Sequence, residues 1–82
     1  MNYYVYILRC ADDTFYTGIT TDIDRRITEH NGGETGGAKY TRARQPVVLA
    51  YKAKFEDRSS ATKEEMRIKK LSRNNKESLI KD

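Results

Sequence analysis

The stretch Tyr3-Tyr4-Val5-Tyr6-Ile7-Leu8-Arg9-Cys10-Ala11-Asp12-Asp13-Thr14-Phe15-Tyr16-Thr17-Gly18-Ile19-Thr20 decides the fold. Two β-prone runs flank Ala11-Asp12-Asp13, whose residues favour turns, so the segment predicts an antiparallel hairpin. Loop length then sets which side chains share a face, because strand residues alternate. A three-residue loop pairing Cys10 with Thr14 sets Tyr6 opposite Gly18 and Leu8 opposite Tyr16, with both tyrosines on one face. A two-residue loop would separate them. The shared face is the expectation, with Gly18 leaving open space beside Tyr6.

Downstream, Asp22 is a plausible N-cap for a helix running to about Asn31 and ended by Gly32 and Gly33. Ile23 and Ile27 form its apolar stripe, while Arg26 and His30, four apart, stack along a neighbouring stripe. From Asn31 to Pro46 the chain holds four of its five glycines with Lys39, Arg42 and Arg44, which predicts an irregular basic loop. Val47 to Phe55 reads as a third strand. Ser59 and Ser60 can cap a helix through Leu71, and Ser72 to Ile80 can form a last short one. The order β-β-α-β-α-α predicts an α+β domain, a small three-stranded antiparallel or mixed sheet covered by helices, with residues 1–82 as one domain.

With 82 residues the chain suits one compact domain with modest stability in reserve. Sixteen Lys and Arg against twelve Asp and Glu give a net charge of +4. The split is uneven: residues 1–38 hold three basic and six acidic groups, and 39–82 hold thirteen and six. The second part is therefore strongly positive, which favours a polyanionic partner through counterion release, although a charge-rich small domain can simply be soluble. Cys10 stands alone, excludes an internal disulfide and reads as a small buried hydrophobe. The apolar run from Tyr3 to Leu8 is too short for a signal peptide or a membrane span, so the expected compartment is the cytoplasm.

Hydrolysis of a phosphodiester needs a water, a base, positive charge on the developing oxygens and help for the leaving alkoxide. A tyrosine serves as base only if its phenol, with a reference pKa near ~10, is lowered by cations or a metal-bound water. Tyr6 and Tyr16 are two of six tyrosines, and strand tyrosines are ordinarily packing residues. A guanidinium fork suits a phosphate, and periodicity leaves Arg25 and Arg26 equally placed. His30 is the sole histidine. Glu64 and Glu65 both fall near the stripe of Ala61, Ile68 and Leu71, and either can pair along the helix, Glu65 with Lys69. The run Lys39-Tyr40-Thr41-Arg42-Ala43-Arg44 interleaves cations with a ring, which suits backbone phosphates and base stacking.

Taken together, Val5-Tyr6-Ile7, Tyr16-Thr17-Gly18, Arg26 and His30 resemble the signature of the GIY-YIG nuclease family, with intervals at 6, 16 and 26 that match. Tyr4 stands in place of the first motif's glycine, Val5 in place of its isoleucine, and Thr17 is the middle residue of the second. The pattern Ala61-x-x-x-Glu65 followed by Ile68-Lys69-Lys70-Leu71-Ser72 is similar to the family's glutamate motif. Gly37-Ala38-Lys39-Tyr40-Thr41 and Pro46-Val47-Val48-Leu49 resemble its stand-alone bacterial, uncharacterised YhbQ-like subgroup, and the likeness runs from Tyr4 to about Ile80.

The resemblance implies an endonuclease, dependent on a divalent metal, that hydrolyses DNA, with branched or damaged structures among its candidate substrates and RNA not excluded. It implies that Tyr6 and Tyr16 line the active site without choosing the base, that Arg26 clamps the phosphate, and that His30 is a proton shuttle or hydrogen-bond donor. It implies Glu65 as ligand to Mg²⁺ or Mn²⁺, since one carboxylate leaves the ion mostly to water and phosphate. Zinc lacks soft ligands here. Lys39, Tyr40, Arg42, Arg44 and Lys69 are the expected nucleic-acid contacts. Asn74 and Asn75 are candidates for the late asparagine that some members use. Cleavage is expected to be weak or nonspecific. The rival is a non-catalytic nucleic-acid-binding accessory protein on the same scaffold; a protein-interaction module is a third class.

Overall fold

The computed structural model describes residues 2–32 and 38–81. Strand β1 (Tyr3–Arg9) and strand β2 (Phe15–Thr20) form the hairpin. The loop has three residues: Cys10 N–H donates to Thr14 O at 2.8 Å, and Asp13 N–H donates to Cys10 O at 2.9 Å. Asp13 closes the turn in the left-handed region, at φ 67°, which aspartate tolerates better than most residues. The Asp12 carboxylate accepts from the Thr14 amide and hydroxyl, at 3.2 and 2.6 Å. This turn sets the register, with Tyr6 opposite Gly18 and Leu8 opposite Tyr16.

Helix α1 (Ile23–Asn31) starts as the sequence predicts: Asp22 Oδ1 accepts from Arg25 N–H at 3.1 Å, and Gly32 follows the last turn. Gly33 and the glycines at 36 and 37 lie outside the described residues. The expected irregular basic loop contains a short helix, α2 (Lys39–Arg42), and is latched to α1. Asn31 pairs reciprocally with the Val47 backbone at 2.8 and 3.1 Å, and Gln45 Nε2 donates to His30 O at 2.8 Å.

Strand β3 (Val48–Phe55) adds to β1, giving the order β2-β1-β3 with antiparallel pairing throughout, so the mixed alternative does not occur. Helix α3 (Arg58–Lys69) begins earlier than the serines suggested, because the Asp57 carboxylate takes the cap and accepts from Ser60 N–H at 2.7 Å. Ser72 Oγ accepts from Asn75 N–H at 3.2 Å ahead of α4 (Arg73–Lys81).

Alternation along the central strand builds two cores. Val5 and Ile7 pack with Ala61 and Ile68 on the α3 side, with Phe15, Ile19, Phe55 and Leu79 around them. Tyr6, Leu8 and Cys10 pack with Ile23 and Val47 on the α1 side, with Tyr16, Ile27 and Tyr40 around them. Cys10 is a free buried thiol whose pKa burial pushes up, consistent with a packing role. No helix among the described residues is long and apolar enough to cross a membrane.

Candidate active site

Tyr6 projects from the centre of β1 and is 1% exposed. Its ring lies across Gly18 on β2: a Cβ at Gly18 would stand 2.5 Å from Tyr6 Oη and 2.7 Å from Cζ. The space that glycine leaves is thus filled by the tyrosine itself, and any larger residue would displace the phenol. The Tyr6 oxygen lies 2.9 Å from His30 Nε2, and the two rings meet edge to face with centroids 5.9 Å apart. His30 is delivered by the last turn of α1 and is 1% exposed. Tyr16 completes the cluster, its ring centroid 6.5 Å from Tyr6 and 5.2 Å from His30.

Burial dominates the electrostatics. It pushes the Tyr6 phenol up to about 12, with the charges of Tyr16 and Glu65 adding to it and the Arg26 guanidinium opposing. It pulls His30 down to about 4, assisted by Arg26, so the imidazole is neutral at physiological pH. A neutral ring partnered at both nitrogens acts as a hydrogen-bonding group, which favours that half of the expectation over a proton shuttle.

Arg26 sits one helical turn before His30, and its Nη1 donates to Glu29 Oε1 at 2.9 Å. Its side chain is 27% exposed against 60% for Arg25, which reaches the same Glu29 only at 4.0 Å. Both arginines line an open cleft of about 310 Å³ beside the β2 edge, together with Thr20, Thr21, Glu29 and Arg58. Three guanidiniums against one carboxylate make this cleft suited to phosphate. Arg58 was not among the expected site residues. The signal was present: it precedes Glu65 by seven residues, two turns along the same helical stripe.

Geometry also separates the two glutamates that periodicity left equal. Glu64 is occupied by a two-pronged bond from Arg67, 2.7 Å on each oxygen, which holds its carboxyl below the usual range. Glu65 is 16% exposed, pairs with Lys69 at 3.5 Å, and its charge is felt at Tyr6. Lys69 is thus engaged along α3 as the partner of Glu65, with its own side chain exposed.

The basic segment divides. Tyr40 stacks on Tyr16 with centroids 6.0 Å apart, and the Arg44 guanidinium lies 3.9 Å from the Tyr40 ring centroid. Arg44 also donates to Asp12 Oδ2 and to Tyr40 O, each at 2.9 Å, tying the hairpin turn to α2. Arg44 and Tyr40 are thus engaged within the fold, while Lys39 and Arg42 are exposed. Thr41, buried between them, lies 2.7 Å from His30 Nδ1. Asn74 and Asn75 fall in the first turn of α4 and are exposed.

Among the described residues no three His, Cys, Asp or Glu side chains gather into a metal cage. Glu65 offers one hard oxygen ligand, a donor set that fits Mg²⁺ or Mn²⁺ held mainly by water and substrate phosphate. Zinc does not fit, because Cys10 is buried and both His30 nitrogens have partners.

A family model for the GIY-YIG catalytic domain matches residues 2–78. A UPF0213 protein of Natronomonas pharaonis is 52% identical over 81 residues, covering 99% of this chain and 93% of that protein. A UPF0213 protein of Desulfotalea psychrophila is 56% identical, covering 96% and 71%. The solution NMR structure of the UPF0213 protein from Bacillus halodurans is 49% identical and superposes with a TM-score of 0.63, over 99% of this chain and 84% of that one. With a model match over residues 2–78 and relatives about half identical over nearly its whole length, the chain belongs to the GIY-YIG catalytic-domain family.

Proposed function

We propose that this protein is a divalent-metal-dependent endonuclease that hydrolyses phosphodiester bonds in DNA. The observation that carries the reading is the buried Tyr6–His30 pair beside Arg26, at the edge of a cleft with two further arginines. Arg26 binds the scissile phosphate and neutralises charge on its oxygens, and Arg25 and Arg58 extend the cationic wall. Tyr6 or Tyr16 takes the proton of the attacking water. In the free protein burial holds the Tyr6 phenol protonated, so its basicity depends on cations brought by the loaded site. Glu65 would hold Mg²⁺ or Mn²⁺, which supplies charge stabilisation at the leaving oxygen. Lys39 and Arg42 contact backbone phosphates flanking the cleft.

The test is cleavage of labelled single-stranded, duplex and branched DNA by wild type, Arg26→Ala and Glu65→Ala, with Mg²⁺, Mn²⁺ or EDTA. Metal-dependent product is expected, reduced at least about 100-fold in both variants. Salt-dependent binding without product, equal in all three proteins, would assign the scaffold to the accessory role instead.

A further inference from the structure

Thr41 is fully buried in α2 and meets the side of the His30 ring opposite Tyr6. Two groups surround Nδ1: Thr41 Oγ1 at 2.7 Å and the Ala38 backbone N–H at 3.3 Å. A neutral imidazole carries one ring proton, so its two nitrogens take opposite roles. The partners decide which.

An amide N–H can only donate, so the Ala38 N–H requires a lone pair on Nδ1. The Thr41 hydroxyl has one proton and two acceptors within reach, Nδ1 and the Ala38 carbonyl at 3.0 Å. That carbonyl already accepts from the backbone N–H groups of Thr41 and Arg42, both at 3.1 Å, which occupies its two lone pairs. The hydroxyl proton therefore takes the single Nδ1 lone pair at 2.7 Å, and the Ala38 N–H shares it as the longer arm of a three-centre contact at 3.3 Å. The reverse assignment makes Nδ1 a donor to Thr41 and aims the Ala38 N–H at another N–H, leaving a backbone donor without an acceptor.

We propose that Thr41 and the Ala38 N–H hold His30 as its Nε2–H tautomer, so that the imidazole donates to the Tyr6 phenol oxygen and does not draw the phenol's proton onto the ring. Thr41 is a positioning residue: it acts through His30 and touches neither phosphate nor water. Acting as base, Tyr6 releases its phenol proton to solvent and then takes one from the attacking water; between these steps the phenolate accepts from the His30 N–H and stands beside the Arg26 guanidinium. In the opposite tautomer the phenol would spend its proton on Nε2, and a phenolate would face a ring lone pair. The functional consequence rests on the nuclease reading above, whereas the tautomer does not.

His30 is the sole histidine, so its ring nitrogens are read without ambiguity in long-range ¹H–¹⁵N correlation spectra of ¹⁵N-labelled protein at neutral pH. Wild type and Thr41→Ser are expected to carry the proton on Nε2. Thr41→Val, which keeps the shape and loses the donor, is expected to show an Nδ1–H population. DNA cleavage should fall at least about tenfold in Thr41→Val and return in Thr41→Ser. A wild-type proton on Nδ1 overturns the proposal whatever the cleavage assay gives, and so does a folded Thr41→Val with an unchanged ring. Should Thr41→Val fail to fold, the wild-type and Thr41→Ser spectra decide alone. The expected tautomer with no cutting of DNA would keep the hydrogen-bond assignment and discard the nuclease reading.

Discussion

The two faces of the sheet are built from the same strands and obey opposite rules. On the α3 face, Val5, Ile7, Ala61 and Ile68 are all essentially inaccessible and form one apolar cluster. On the α1 face, the equally buried Tyr6 and His30 join Thr41 in a chain of hydrogen bonds. Burial stabilises both faces through area removed from water, but a buried polar group adds a condition: it must be partnered or it costs free energy. One face therefore holds the fold together without specifying chemistry. The other contributes to the fold only while its chemistry is assembled.

That contrast breaks first at Tyr6 and Ile68. Tyr6→Phe keeps the ring and deletes the oxygen, which should lower cleavage at least about 100-fold while costing about 1–3 kcal/mol of stability for the stranded His30. Ile68→Ala should cost about 2–5 kcal/mol in urea unfolding and leave the rate per folded molecule unchanged. Equal loss of activity per folded molecule in both variants would erase the distinction between the faces.

A difference of about 3 kcal/mol is expected from pH. Burial pulls the folded His30 down to about 4 from the 6.5 of a free imidazole, so the unfolded chain binds its proton more tightly. The stability held by the neutral ring is complete above about 6.5 and is lost as pH falls towards 4, by up to about 3 kcal/mol. Tyr6 behaves in the other sense: its pKa is raised from 10.0 to about 12, so its contribution is present below 10 and is lost as pH rises through that interval. Urea midpoints between pH 7 and 4 should slope in wild type and in Ile68→Ala, and flatten in His30→Phe. A slope that survives His30→Phe would place the titration elsewhere.

How much of this was legible depended on whether the cause was local. The hairpin and its register follow from alternation and a three-residue turn, both written in residues 3–20, so the shared tyrosine face could be read directly. The short helix α2 could not: four residues, Lys39–Arg42, carry no period, and its Ala38 cap makes no side-chain hydrogen bond. Asp57 took the α3 cap from Ser59 and Ser60 because its carboxylate, two residues before Ser59, accepts from the Ser60 amide. Of the candidates named from spacing and family likeness, Tyr6, Tyr16 and His30 lie in one aromatic cluster with Arg26 beside it. Arg58 shares a stripe of α3 with Glu65, a spacing the sequence does record, but what that stripe faces depends on where α3 passes β2; Thr41 depends on where α2 meets His30, which no single element records.

Thr17 sharpens the comparison at a smaller scale. It faces the apolar side, opposite Ile7, and its hydroxyl is buried without a partner among the described residues. The α3 face thus carries the unsatisfied group that the α1 face avoids. Thr17→Val should raise stability by about 1 kcal/mol, seen as a higher urea midpoint with the same m-value and unchanged cleavage. A loss of stability would mean that the hydroxyl has a partner after all.

The smallest effects belong to Arg42, the last residue of α2, and Arg44 just beyond it, which separate surface from scaffold within three residues of sequence. Arg44 lies over Tyr40 and pairs with Asp12, with its side chain 35% exposed, so Arg44→Ala removes an ion pair and a cation–π contact, each worth about 1 kcal/mol or less. Its loss should be felt mainly as stability. Arg42 is exposed and has no ion-pair partner among the described residues. Arg42→Ala should leave the urea midpoint in place and reduce the salt dependence of DNA binding by about one phosphate contact. Binding isotherms across a salt series read the second effect and unfolding reads the first. If the two substitutions exchange signatures, α2 presents the opposite side to nucleic acid, with Arg44 released from Asp12 to reach it.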